Sequence, residues 1–304
     1  MRPKGLIRLL LTGCLLLLLS GCTFGATVDA LLTPPHLRGE QEQIYQALEN
    51  AVGNRITLQY PRSGDHLSAV MISDLDGDGQ DEAAVFYRKE SSLSTENALR
   101  LNLLDQADGT WMSVCDLPAE GAEVDRGFTA DIGGRQRLII GYSQVDQSDK
   151  ALVVYNYEGG TLAKSFTVSY SSFDVADLDG DDQSELLILK AAEGEHAAEA
   201  AVYVPDEQDH YTRYSLTLQG KTTEYSQVLC GNTQGKQTAI YLDGIVGATT
   251  MQTEVLQFDG KKLSYLVPTG SDAVSTIRPT GWLTMDIDQD DIPEIPVQGL
   301  FPGY

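Results

Sequence analysis

Apolar and polar positions change rhythm twice along this chain. Leu9 to Leu19 is an almost unbroken apolar run, interrupted by Thr12 and Gly13. Between Arg38 and Val52, Ile44, Tyr45, Leu48 and Val52 fall on one helical face, with Glu40, Glu42, Gln43 and Glu49 largely elsewhere. That period predicts a short amphipathic helix over 38–54. From Ile56 onward the runs become short and β-like: Ile56–Tyr60, Ala83–Tyr87, Leu101–Leu104, Leu138–Ile140, Leu152–Tyr157, Leu186–Leu189, Ala200–Val204, Ala239–Leu242 and Val255–Phe258. The turns between them carry Asp108-Gly109, Gly159-Gly160 and Asp259-Gly260, dipeptides that favour hairpins. A Tyr/Phe-x-Gly-Gly/Lys-x-Leu hairpin recurs at Tyr157–Leu162 and Phe258–Leu263. Residues 193–200 have a helix-like composition but lie where the repeat pattern places a hairpin loop.

The β region repeats itself. Asp74-Leu-Asp-Gly-Asp-Gly-Gln-Asp-Glu82, Asp177-Leu-Asp-Gly-Asp-Asp-Gln-Ser-Glu185 and Asp286-Ile-Asp-Gln-Asp-Asp-Ile-Pro-Glu294 are spaced by 103 and 109 residues, and each precedes an apolar run. Two weaker copies, Ala130–Gly134 and Cys230–Thr233, lie between them. A unit of about 50 residues with about four strands is the size of a propeller blade, each sheet burying its faces against its neighbours. The expected fold is therefore all-β, a β-propeller-like array of about five four-stranded blades over 55–304, the last one incomplete, preceded by the short helix. A ring closes if Ile56–Tyr60 joins the last blade as an outer strand. The alternatives are an open ring or a shortened form of a longer chain.

The N-terminal pattern points to export. Arg2, Lys4 and Arg8 precede the apolar run, which is too short to span a bilayer, and the run ends in Leu19-Ser20-Gly21-Cys22. That box resembles the lipobox of bacterial lipoproteins. The resemblance implies a signal peptide over 1–21, cleavage before Cys22, and lipid on Cys22 that anchors the chain to the membrane at the extracytoplasmic face of the cell envelope. Residues 22–37, with Pro34-Pro35, read as a lipidated tether. Cys115 and Cys230 lie in β-like runs and read as packed thiols, with pairing in an oxidising compartment as the alternative.

Net charge sharpens this picture. The chain carries −23, and removing Arg2, Lys4 and Arg8 with an acid-free segment 1–21 takes it to −26. Such a surface repels nucleic acid and favours cations. In each acidic loop carboxylates occupy positions 1, 3, 5 and 9: Asp74, Asp76, Asp78, Glu82; Asp177, Asp179, Asp181, Glu185; Asp286, Asp288, Asp290, Glu294. Gln80, Gln183 and Ile292, at position 7, are expected to add backbone carbonyls. Calcium takes six to eight hard oxygens in flexible geometry, and four close carboxylates repel one another without a cation. An EF-hand is excluded, because position 12 is Val85, Ile188 or Val297 and the segment after each loop is strand-like rather than helical.

These loops resemble the FG-GAP/VCBS repeat of the integrin-α N-terminal propeller superfamily, Asp-x-(Asp/Asn)-Gly-Asp-Gly-x-x-(Asp/Glu) before an apolar strand. The first loop fits fully, the second has Asp182 for the second glycine, and the third lacks both glycines. The resemblance implies a propeller with structural calcium at two to three sites, and no single activity.

No Gly-x-Ser-x-Gly, His-Glu-x-x-His or phosphate-loop motif occurs. His36, His66, His196 and His210 lack evident catalytic neighbours. No catalytic residue is assigned. The expected function is a binding or scaffold module for an envelope protein or glycan. A calcium-dependent accessory or sensor subunit and an extracytoplasmic enzyme acting on glycan or lipid are the alternatives.

Overall fold

A computed structural model describes residues 39–90, 98–144, 150–233, 238–266 and 276–297. The signal peptide, Cys22, the tether and His36 lie outside the described residues. Contacts divide the chain into Met1–Glu42 and Gln43–Tyr304. The expected helix is α1, Glu40–Val52, which crosses that division; of the first unit only residues 39–42 are described.

The second unit is a series of antiparallel sheets. Blade 1 contains β2 (Val70–Ser73), β3 (Glu82–Lys89), β4 (Leu99–Ala107) and β5 (Thr110–Pro118), joined by β1 (Ile56–Leu58). Blade 2 contains β6 (Glu123–Asp131), β7 (Gln136–Ser143), β8 (Lys150–Glu158) and β9 (Thr161–Tyr170). Blade 3 contains β10 (Ser172–Ala176), β11 (Glu185–Lys190), β12 (Glu199–Pro205) and β13 (Tyr211–Thr217). Blade 4 contains β14 (Glu224–Asn232), β15 (Thr238–Ile245), β16 (Thr250–Phe258) and β17 (Leu263–Tyr265), with β18 (Arg278–Pro279) paired to β16. The incomplete fifth unit is the loop Asp286–Glu294, closed by an isolated Met285–Glu294 bridge. Segment 193–200 is a hairpin connection, as its position required: Glu193 bridges His196 and β12 begins at Glu199.

Ring closure through Ile56–Tyr60 is overturned. β1 pairs with β3 of the first blade, Ile56 opposite Lys89 and Leu58 opposite Tyr87, on the same edge that β2 occupies from Val70–Val85 to Ser73–Glu82. The reason is burial: Ile56 joins a cluster with Ile44 and Leu48 of α1 and with Val70, Val85 and Tyr87. Each of the aliphatic side chains in that cluster contributes roughly 1.5–3 kcal/mol when fully buried.

Strand alternation carries the array. Ala84 and Phe86 face blade 2, whereas Ala83, Val85 and Tyr87 face α1. Leu138, Ile140 and Tyr142 face blade 1, and Ile139, Leu152 and Val154 face blade 3. Leu186 and Ile188 face blade 2, while Leu187 and Leu189 pack with Ile240, Leu242 and Phe258 of blade 4. The far side of blade 4, Ala239, Tyr241 and Val255, packs with Ile295. Both faces of every sheet are thus apolar, which is why its central strands read as continuous runs.

The units also differ in pairs. The first strand has nine residues in blades 2 and 4, with register shifts at Val124/Arg126 and Tyr225/Gln227. It has four and five residues in blades 1 and 3, whose ladders with the second strand run without a shift. The structural repeat is therefore a doublet of blades.

Candidate metal centres

The first two acidic loops join the first strand of their blade to the second, the third spans the Met285–Glu294 bridge, and all three adopt one hydrogen-bond pattern. In the first loop Asp74 accepts from the amides of Gly77 (2.7 Å) and Gly79 (3.0 Å), and Asp78 accepts from the amide of Gln80 (2.7 Å). In the second, Asp177 accepts from Gly180 (2.7 Å) and Asp182 (3.0 Å), and Asp181 from Gln183 (2.9 Å). In the third, Asp286 accepts from Gln289 (2.7 Å) and Asp291 (3.0 Å), and Asp290 from Ile292 (3.0 Å). The position-9 glutamates close the loops by accepting from Leu75 (2.7 Å), Leu178 (2.8 Å) and Ile287 (2.8 Å).

Positions 4 and 6 are left-handed throughout. Gly77, Gly79, Gly180 and Asp182 have φ of 80°, 86°, 84° and 68°, and in the third loop Gln289 and Asp291 hold φ of 63° and 65°. The missing glycines therefore change the cost of the third loop and not its path. A non-glycine residue pays about 1 kcal/mol for that region.

The loops bring carboxylate oxygens together. Those of Asp74, Asp76 and Asp78 lie within 4.8 Å of one another, as do those of Asp177, Asp179 and Glu185, and those of Asp286, Asp288 and Asp290. Glu82 and Glu185 are buried, at 1% and 3% exposure. Burial pushes both up to about 7, against the backbone hydrogen bonds they accept, and nearby aspartates push the same way. Asp76 and Asp179 are raised chiefly by burial, and Asp288 chiefly by the charge of Asp290. Glu82 Oε1 is buried without a hydrogen-bond partner. A hard cation fits such a donor set, since it relieves the carboxylate repulsion. Several acidic clusters can thus hold a metal ion. The backbone oxygens expected from Gln80, Gln183 and Ile292 belong to the same turns, whose amides at those positions are bound to the position-5 aspartates.

The next blade's outer hairpin faces each of the first two loops, because the turns between first and second strands and between third and fourth strands share one end of every sheet. Asp76 and Gly77 form a cleft with Asn156, Tyr157 and Glu158. Tyr157 Oη donates to Asp105 Oδ2 at 2.7 Å, and Asp105 raises both Asp76 and Glu82. At the second loop the approach is closer: a Cβ on Gly260 would lie 2.7 Å from Asp179 Oδ2. The recurrent hairpins Tyr157–Leu162 and Phe258–Leu263 are thus the partners of two acidic loops.

Blade 2 makes the same junction with an arginine in place of an acidic loop. Only residues 132–135 separate its paired Asp131 and Gln136, against 74–81 in blade 1. Arg137, 1% exposed, donates to Ile132 O (2.8 Å), Asn156 Oδ1 (2.7 Å) and Asp209 Oδ1 of blade 3 (2.6 Å). Sequence reasoning missed this residue. Aligning the repeats exposes it, since Arg137 occupies the strand position of Ala83, Leu186 and Ala239.

Other residues fall as expected. Cys115 and Cys230 are free, half-buried thiols, and burial pushes Cys230 up to about 12. His66, His196 and His210 are exposed. Trp111 is in the core beneath α1, whereas Trp282 is 51% exposed.

No protein-family model matches the chain, and no curated protein matches it. Among solved structures, the exotype rhamnogalacturonan lyase YesX is 14% identical with a TM-score of 0.34, over 71% of this chain and 57% of that one. A putative exo-beta-1,3-galactanase from Bifidobacterium bifidum is 13% identical with a TM-score of 0.31, over 71% and 76%. A hypothetical protein from Leishmania major is 8% identical with a TM-score of 0.31, over 78% and 76%. The chain spans about half the length of the rhamnogalacturonan lyases it matches.

Proposed function

We propose that this chain is a calcium-binding β-propeller-like module, anchored through lipid on Cys22 at the cell envelope, that presents a rigid surface for binding a protein or glycan. The observation that carries the metal half is the shared geometry of three acidic loops, one of which holds a buried, partnerless carboxylate oxygen. Calcium suits these loops better than magnesium, because the donors are flexible carboxylates and carbonyls at a turn rather than a near-ideal octahedron. When bound, the cation supplies positive charge. The chain's own residues do the rest: Asp74, Asp177 and Asp286 organise the turns, and Glu82, Glu185 and Glu294 tie each loop's end back to its second residue.

Native mass spectrometry of the full chain in calcium should count two to three ions, lost in chelator. An ion-free spectrum at millimolar calcium would sink the metal reading. Anchoring rests on Leu19-Ser20-Gly21-Cys22 and is tested separately. Replacing Cys22 by alanine should move the chain from the membrane to the soluble fraction of cells; a chain that stays in the membrane fraction with Cys22→Ala is not held by lipid there.

A further inference from the structure

A cavity of about 570 Å³ lies where the acidic loops of blades 3 and 5 meet blade 4. That volume suits a small ligand. Its wall has two characters. Gln227, Asn232 and Thr238 contribute carboxamides and a hydroxyl, which both donate and accept, beside Asp177, Asp286 and Asp291. Leu229, Leu283, Met285 and Pro293 form an apolar strip among them. No lysine, arginine or histidine occurs among the described residues of the lining. The Cys230 thiol also lines it and is held neutral by burial, so it adds surface rather than a nucleophile.

One wall belongs to the third loop. Met285 and Glu294 bridge at its base, Asn232 N donates to Asp291 O at 3.1 Å, and Gln227 Nε2 donates to Thr284 O at 2.8 Å. Thr284 is fixed from behind by a buried network: its amide reaches Asp243 Oδ2 at 2.6 Å, and Arg278 pairs with Asp243 at 2.9 Å. The base of this wall is therefore rigid, and its tip is the loop that carries Asp286, Asp288 and Asp290.

We infer that this cavity binds a neutral saccharide, and that it does so only while the third acidic loop holds its cation. A sugar ring presents an apolar C–H face together with hydroxyls that donate and accept, the combination this lining offers. The lining carboxylates of Asp177, Asp286 and Asp291, with no basic side chain beside them, disfavour uronates and phosphates. The inference rests on the reading of the chain as a metal-dependent binding module, and deepens it by naming the ligand class and the loop on which binding depends.

The test is isothermal titration of the full chain with neutral trisaccharides built from glucose, galactose, mannose and N-acetylglucosamine, and with the trimer of galacturonic acid, in calcium and in chelator. Binding of at least one neutral trisaccharide is expected, lost in chelator, with the acidic trimer weaker by tenfold or more. Asn232→Ala and Met285→Ala should each weaken binding by about tenfold, the size of one hydrogen bond or one modest apolar contact. Asp288→Asn should abolish the response to calcium while circular dichroism shows the β fold intact. If that variant unfolds, the two cavity variants still decide. Binding unaffected by chelator, preference for the acidic trimer, or no neutral trisaccharide bound at millimolar concentration overturns the inference. An ion count of two to three in the native mass spectrum, alongside no sugar binding, removes this inference and leaves the metal reading standing.

Discussion

At the scale of single residues, one positive group does in blade 2 what the acidic loops are arranged to do with a cation. Arg137 gathers a loop carbonyl, Asn156 and the Asp209 carboxylate into a buried knot between blades 2 and 3. Removing Arg137 is costly, because Ile132 O and Asn156 Oδ1 lose their donor and Asp209 keeps, as counter-charge, only the longer contact with Arg135, at 4.0 Å. Arg137→Ala should lower stability by about 3 kcal/mol in a urea melt and leave the number of metal ions bound unchanged. A loss below about 0.5 kcal/mol, the range of an ordinary surface substitution, would show that the pair is dispensable. The residue scale also shows what the sequence concealed. Carboxylates at positions 1, 3, 5 and 9 are plain from spacing. That Gln289 and Asp291 accept the left-handed backbone of the glycines they replace is not, because no neighbouring residue type in that loop signals it. The bonds to Asp286 and Glu294 hold the path instead.

At the scale of elements, period and turn chemistry place the strands and α1 well, since each central strand is apolar on both faces and most hairpins carry glycine or aspartate. Pairing partners are less legible. Ile56–Tyr60 has the composition of a strand for any edge, and its choice of β3 depends on the shelter α1 gives to Ile56. The weaker repeats at 131 and 231 are visible as gaps in the acidic pattern, but the reason for the first is length. A loop of four residues at 132–135 has too few positions to wrap a cation, and a longer, shifted first strand takes up the difference. The Tyr157–Leu162 and Phe258–Leu263 hairpins are legible as a motif, but their purpose emerges only when the fold sets them against the loops of the preceding blades.

At the scale of the whole second unit, two kinds of junction alternate. Blades 1 and 2, and blades 3 and 4, meet with an acidic loop against a hairpin. Blades 2 and 3 meet through Arg137 and Asp209. Chelation should therefore loosen the molecule unevenly. Hydrogen exchange in chelator should rise at 74–82, 157–162, 177–185 and 258–263, while 131–136 and 205–210 keep their protection, since local opening follows the stability of the contacts that close each region. A uniform rise across all six segments would mean that the cation supports the array globally.

The doublet of blades also bears on how such a chain changes length over generations. Every doublet offers the same two faces to its neighbours, and the acidic loops recur at 103 and 109 residues. A duplication or deletion of that size, in register, lengthens or shortens the array while the first two loops, and any copy of them, keep a matching hairpin. An event of half that size sets an acidic loop against a hairpin built for arginine, and the new boundary gathers negative charge on both sides. Inheritance by pairs is written into the junctions themselves.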